Sequence, residues 1–204
     1  MATAKLDLYK QHREEYVAKS APAVVEIGPA RYLAIEGHGA PEDAAFEAAI
    51  GALFAVAYTV KMAHKSAGSD YKVAPLEGLW WTGSAGHHFL RTPRTSWRWQ
   101  LLIRTPEFVT KSDLSRAVRT LVERGKPALV KTVRLLSQNE GRCVQALHVG
   151  PYATEPETIG RMLEVAAAAG HKAHGTHHEI YMSDPRRVKP ERLKTILRLP
   201  LRKS

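Results

Sequence analysis

The chain carries one pattern twice. From Arg31 to Gly39, RYLAIEGHG, a β-rich apolar run ends in a glycine turn, and Pro41 and a long helical stripe follow; from Arg142 to Gly150, RCVQALHVG, the same succession leads into Pro151 and a second helical stripe. Arg104-Thr105-Pro106 and Arg198-Leu199-Pro200 then correspond at the ends of the last apolar runs. Two copies of one unit stack by burying equivalent apolar faces, which favours an arrangement related by an approximate twofold. The expected fold class is α+β: duplicated βαββ halves with pseudo-twofold symmetry, antiparallel sheets backed by helices, and a ligand groove between the halves. An N-terminal arm spans residues 1–20. A single domain over 21–204 contains the repeats, about 21–106 and 128–200, joined by a helix at about 112–124.

Within each half the element signals are local. Ala23 to Ile27 and Arg31 to Glu36 read as a hairpin around Gly28-Pro29-Ala30, and Ala128 to Leu136 and Arg142 to Val149 as its counterpart around Asn139-Glu140-Gly141. Phe46, Ile50, Leu53 and Ala57 recur at helical spacing after Pro41, with Phe54 and Tyr58 on an adjacent strip. Tyr58 is a candidate pocket residue, because a buried tyrosine needs a partner for its hydroxyl. Tyr71 to Trp81 and Trp97 to Arg104 are strands, separated by a polar connection from Thr82 to Thr95. Leu114, Val118 and Leu121 mark the linking helix, which Gly125 and Pro127 end. Thr154 with Glu157 three residues on resembles a capping box, and Ile159, Met162, Leu163 and Ala166 are the stripe behind it. Two strands close the half, Thr176 to Met182 and Leu193 to Leu199.

The stretch HHEIYMSD, His177 to Asp184, carries the chemistry. Alternation on a strand sends Ile180 and Met182 one way and His177, Glu179 and Tyr181 the other. Glu179 is then an acid between a histidine and a tyrosine, on the face away from the helix-packing residues, lining the groove. Burial there would raise its pKa toward the range useful for general acid/base work. All four tryptophans lie on two neighbouring strands, Trp80 and Trp81 on one and Trp97 and Trp99 on the other. Trp81 alternates with Leu79 and reads as core. Trp80, with Trp99 or Tyr58 beside it, is the wall against which a flat ligand stacks.

Other sites are disfavoured. His171, His174, His177 and His178 are dense, but not at the helical spacing of a zinc site, and neighbouring His177 and His178 point to opposite faces, so no metal and no cofactor is expected. Cys143 lacks a base-and-orienter set and fits strand packing. Glu77 is a second acid of either pocket or turn. The net charge of +10 is spread out, thickening only from Arg186 to Lys203, and no zinc-finger, helix-turn-helix or RNP spacing accompanies it, so nucleic acid is not the expected partner. No run of about eighteen apolar residues and no signal-peptide core are evident, which gives the expectation of a cytoplasmic protein without a membrane partner, a monomer or weak homodimer.

The blocks LFAVAYTVKM, KVAPLEGLWW, LLIRTPEFVT, LHVGPYATEPETI and HHEIYMSDPRRVKPERLKTILR, in that order, resemble the stand-alone GyrI-like small-molecule-binding proteins over nearly the whole chain from about Ala21. The resemblance implies a central aromatic pocket with an acid near its floor. It also implies one of two activities. Some relatives hydrolyse the cyclopropane of DNA-alkylating cyclopropanoid antibiotics, while others bind flat lipophilic or cationic compounds without changing them. On this likeness Glu179 and Tyr152, the tyrosine of HVGPYATEP, are the expected catalytic residues. Trp80, Trp99, Tyr58, Tyr181 and His148 are expected to bind a flat aromatic or electrophilic small molecule.

Overall fold

The computed structural model describes residues 5–83 and 92–204. Most of the polar connection expected between Thr82 and Thr95 lies outside those residues. Two short helices, α1 (Leu8–Gln11) and α2 (Arg13–Tyr16), form the N-terminal arm. The first half is β1 (Ala23–His38), α3 (Ala44–Ser66), β2 (Leu76–Trp81) and β3 (Arg98–Thr105). After the linking helix α4 (Lys111–Glu123), the second half is β4 (Arg134–Val149), α5 (Glu155–Ala168), a short β5 (His171–Ala173), β6 (His177–Tyr181) and β7 (Lys194–Lys203).

All the strands are antiparallel and run in the order β4-β1-β3-β2-β6-β7-β5, and an additional β4–β7 pairing curls the sheet into a barrel. The duplication is plain in this order: β1 and β4 pair with each other, as do β2 and β6, so the halves meet along two seams of one continuous sheet. Gly39 and Gly150, matched in the repeat, end their long strands with φ of +103° and +140°. A side chain is strained in that region, so the glycine turn recurs where the repeat does.

The first expected hairpin is one strand, β1, and the second is β4 preceded by a 3-10 turn at Ala128–Thr132, where its first arm was expected to begin. Gly28-Pro29 and Asn139-Glu140-Gly141 lie opposite one another in the β1–β4 ladder, with Ile27 facing Gly141 and Pro29 facing Asn139. These are turn residues used to reset the alternation, since burial passes from Ile27 to Ala30 and Tyr32 across them. The first part of each long strand can then serve the β1–β4 seam and the last part its own half: Arg31–His38 pair with β3, and Cys143–Val149 with β7. Proline and glycine are tolerated in a strand where it bends or bulges in this way.

Helices cover the outside of the barrel. Leu53, Val56 and Val60 of α3 pack on Leu33, Ile35, Leu101 and Ile103, while Ile159, Met162 and Ala166 of α5 pack on Val144, Ala146, Leu197 and Leu199. Each such fully buried aliphatic side chain contributes about 1.5–3 kcal/mol. By length and composition alone α3 could cross a membrane, although no apolar run of that length was expected; here one side of it is the roof of the first core. The capping box expected at Thr154 and Glu157 does not form, because the Thr154 hydroxyl turns back to the Pro151 carbonyl at 2.8 Å. The linking helix has one instead, between Thr110 and Asp113.

Candidate functional site

Closing the sheet gives β6 two buried faces. Its register puts Glu179 beside Gly78 of β2 on one side and Leu197 of β7 on the other, and Leu197 belongs to the core under α5. Glu179 is thus on the helix-covered face and not, as the alternation alone suggested, on the face away from the helices. It still lies where the halves meet, over the β2–β6 seam and near the starts of α3 and α5: Phe46 of α3 stacks on Trp80, and Glu155 of α5 hydrogen-bonds Glu179.

Around Glu179, which is 7 % exposed, four side chains converge. The Tyr181 hydroxyl hydrogen-bonds its carboxylate. The Trp80 indole N–H donates to that same hydroxyl at 3.1 Å. His177 Nε2 lies 3.2 Å from Glu179 Oε1. Glu155 completes the group. Tyr152, from the 3-10 turn Tyr152–Thr154, stands edge-on to the Tyr181 ring at 6.1 Å and is 39 % exposed, so it lies at the rim. Burial and then the charge of Glu179 push its phenol up to about 12, and it is a hydrogen-bond donor at neutral pH.

Gly78 makes this arrangement possible. A Cβ there would sit 2.8 Å from the Tyr181 hydroxyl and 2.9 Å from Trp80 Nε1, the two atoms of the bond that orients the tyrosine. Trp80 itself is 3 % exposed, packed on Phe46 at 5.5 Å and edge-on to Trp97 at 5.7 Å. It offers the cluster its N–H edge.

The remaining expected residues are held elsewhere. Trp99 is buried behind Trp80, edge-on to Phe46 at 5.1 Å and lying over Gly37, where a Cβ would come within 2.1 Å of the indole. Tyr58 is 54 % exposed and stacks on Phe54 of the same helix. His148 is buried against the start of α5, with Nδ1 3.0 Å from the Thr158 hydroxyl and Nε2 3.2 Å from the Pro151 carbonyl. Its ring ties the glycine turn to the helix that carries Glu155.

Glu155 is the residue the sequence reading missed. An acid in the first turn of a helix is ordinary, because it suits the helix dipole. Here it is 2 % exposed, and burial together with the neighbouring Glu179 pushes it well above the usual carboxylic range. The signal was in the repeat: Glu155 stands where the first half has Ala44, so it breaks the twofold. The ligand atoms of Glu155, His177 and Glu179 lie within 4.8 Å of one another, close enough to hold a cation.

A second polar group lies inside the barrel. His178 faces the opposite way from His177: Nε2 is 2.9 Å from Glu77 and Nδ1 3.0 Å from Glu140. Burial alone would push this imidazole down, yet the two carboxylates hold it up at about 9, and with both nitrogens donating it is an imidazolium. Burial likewise opposes the charge of Glu140, but His178 and Arg198 hold that carboxyl down at about 2. Glu77, left open between pocket and turn, belongs to this interior group and accepts a bond from Tyr16 of the arm at 3.0 Å.

Comparison with known proteins agrees with this architecture. Residues 105–202 match the GyrI-like small molecule binding domain. No curated protein matches the chain. Among solved structures, an uncharacterized conserved protein from Listeria innocua is 36 % identical, with a TM-score of 0.89 over 97 % of this chain and 100 % of that one. Another protein from the same organism, described as a hydrolase, is 34 % identical with a TM-score of 0.86 and the same coverage. The EcmrR C-terminal domain, at 10 % identity and a TM-score of 0.57, over 90 % of this chain and 98 % of that one, shares the fold alone. The likeness to the Listeria proteins runs through both repeats, the seam between them and the strand that carries Glu179, and on that ground the chain belongs to the GyrI-like small-molecule-binding family.

Proposed function

We propose that the protein is a hydrolase that adds water across the strained cyclopropane of DNA-alkylating cyclopropanoid compounds, a detoxifying activity. The observation that carries this reading is the buried Glu179 carboxylate, bonded by Tyr181 and bordered by the aromatic edge of Trp80 and the rim hydroxyl of Tyr152. The hydrolase description of two Listeria innocua proteins, 34 % and 35 % identical, supports the reaction type.

In such a substrate the cyclopropane is conjugated to a dienone. Attack of water on the ring methylene forms a carbon–oxygen bond and breaks a ring carbon–carbon bond, whose electrons flow into the dienone and make it an aromatic phenolate. Aromatisation and strain release drive the step, so the protein has only to hold a flat molecule and direct one water. Glu179 takes the proton from that water. Tyr152, which keeps its own proton, donates a hydrogen bond to the water or to the developing phenolate. No metal or cofactor is called for by this chemistry.

The test is to incubate the pure protein with a duocarmycin-type compound and to follow it by mass spectrometry. Catalytic accumulation of the water adduct is the expected result. Recovery of unchanged compound in stoichiometric complex would identify a sequestering protein for flat lipophilic or cationic molecules instead.

A further inference from the structure

We propose that Glu155, His177 and Glu179 form a binding site for one divalent transition-metal ion, zinc being the ion their chemistry fits best. The site stands on geometry and charge, and it does not depend on the hydrolytic reading above.

One donor atom from each of the three side chains lies within 4.8 Å of the others, and all three residues are buried, Glu155 at 2 % and Glu179 at 7 % exposed and His177 fully. His177 Nε2 and Glu179 Oε1 are 3.2 Å apart. Two donors that each stand about 2.0–2.2 Å from a common metal are about 3–3.5 Å from one another, so this edge of a coordination shell is already in place. Glu155 Oε1 is buried with no hydrogen-bond partner among the described residues. That is a costly state for a carboxyl oxygen unless a cation takes its lone pairs.

Charge points the same way. Inside the barrel, Glu15, Glu77 and Glu140 are matched by Arg104, Arg198 and His178. On the other face of β6, among the described residues, no lysine or arginine pairs with Glu155 or Glu179, and the ion pair of Glu179 is with His177. Buried acids are kept in proteins when they are paired or when they coordinate a metal.

The three ligands are also held as a metal site requires. His177 and Glu179, two apart on a strand, share one face of β6, which β2 and β7 fix on either side. Glu155 comes from the first turn of α5, whose start is pinned by the Thr154 hydroxyl on the Pro151 carbonyl and by His148 on Thr158. The Tyr181 hydroxyl bonds the Glu179 carboxylate and is itself bonded by the Trp80 N–H, an outer shell of the sort that orients a metal ligand. Histidine spacing argued against a metal because it weighed histidines alone; the fold gives one of them two acids as partners.

An imidazole with two carboxylates suits zinc, manganese or iron(II) better than calcium or copper(I). Three protein ligands and one water complete the four-coordinate shell of zinc, and zinc makes the proton of such a water easier to remove.

The experiment is calorimetric titration of the metal-free, full-length protein with zinc chloride, with thermal melts in the presence and absence of zinc, for the wild type and for Glu155→Gln, His177→Gln and Tyr181→Phe. Circular dichroism checks that each variant is folded, and Glu155→Gln, which adds no bulk, carries the test if His177→Gln does not fold. The expected results are one zinc per chain in the wild type and a Tm raised by about 5 °C or more at a hundredfold excess over Kd. Affinity should fall by about a hundredfold or more when Glu155 or His177 is replaced, and by about tenfold in Tyr181→Phe. A folded wild type that takes up no zinc overturns the inference. Zinc binding that Glu155→Gln and His177→Gln leave unchanged also overturns it, and assigns the ion to histidines elsewhere. No substrate enters these measurements, so a failure of cyclopropanoid turnover is read separately.

Discussion

Arg104 of β3 and Arg198 of β7, counterparts in the repeat, converge inside the barrel on one residue of the N-terminal arm. The Arg104 guanidinium donates to the Glu15 carboxylate at 2.7 Å, and that of Arg198 donates to the Glu15 carbonyl at 2.7 Å. Arg104 also donates to the Tyr16 hydroxyl, and Arg198 to Gln145 and Glu140. The arm is thus a plug fitted to both halves. The interior charges balance, with Arg104, Arg198 and the His178 imidazolium against Glu15, Glu77 and Glu140.

Removing one partner from this group leaves a buried charge unmatched. Glu15→Ala strips the carboxylate from Arg104 while sparing the carbonyl bond to Arg198, and the expected loss is about 3 kcal/mol of unfolding free energy. Arg198→Met removes three contacts and exposes Glu140 and His178 to each other's imbalance, so its midpoint in urea should lie below that of Glu15→Ala. Equal wild-type-like midpoints for both would show that the arm is an ornament of the fold.

His178 makes stability depend on pH from the alkaline side. Its pKa is raised from 6.5 to about 9 in the folded protein, so the stabilisation is fully present below pH 6.5 and is lost as pH rises through 9. The shift corresponds to a contribution on the order of 3 kcal/mol. Glu140, held down at about 2, works in the opposite sense: its contribution is present above 4.5 and is lost only as pH falls toward 2. Urea midpoints measured between pH 6 and 10 should therefore fall most steeply between the two values, 6.5 and about 9, and level off above the higher one, and His178→Gln should flatten that fall. A midpoint constant across the window would remove the imidazolium from the account.

Duplication was legible because it is written in turns and strand ends, which local chemistry controls. Glu179 and Tyr181 were legible as a pair for the same reason, since a two-residue spacing on a strand fixes them to one side. What local pattern could not give was which side. Alternation separates core from solvent when a sheet has one wet face, but a closed sheet under helices buries both, and so His178 and Glu77 went one way into the barrel while Glu179 went the other. Gly28-Pro29 misled in the same manner: residues that would end an isolated strand serve here to bend a long one across the seam. Glu155 was hidden because its partner lies on another element, and only the comparison of the halves sets it against Ala44.

Gly78→Ala tests the packing beneath the pair without touching any acid. Its Cβ would meet the Tyr181 hydroxyl at 2.8 Å and Trp80 Nε1 at 2.9 Å, both on rigid rings, so the indole–hydroxyl bond must open. A loss of about 1–3 kcal/mol in stability is expected from such crowding. Tryptophan emission should change as Trp80 loses its hydrogen bond, and ligand affinity should fall with it. Unchanged emission and affinity would mean that Tyr181 and Trp80 can part without consequence.

Glu179→Gln separates a base from a binding group. The amide has the same shape and its oxygen can still accept from Tyr181 and Glu155, so the fold and the aromatic surroundings should survive. It cannot take a proton from water. Turnover of a cyclopropanoid compound should accordingly drop by about a hundredfold to ten-thousandfold, the usual contribution of a positioned general base. Affinity for the unreacted compound, read from quenching of the tryptophans, should stay within a few tenths of a pKd unit when only the base is lost. That split matters because a carboxylate that merely attracted a cationic ligand would behave differently. In that case binding and turnover would fall by the same factor in a folded variant, and Glu179 would be a recognition element instead of a base.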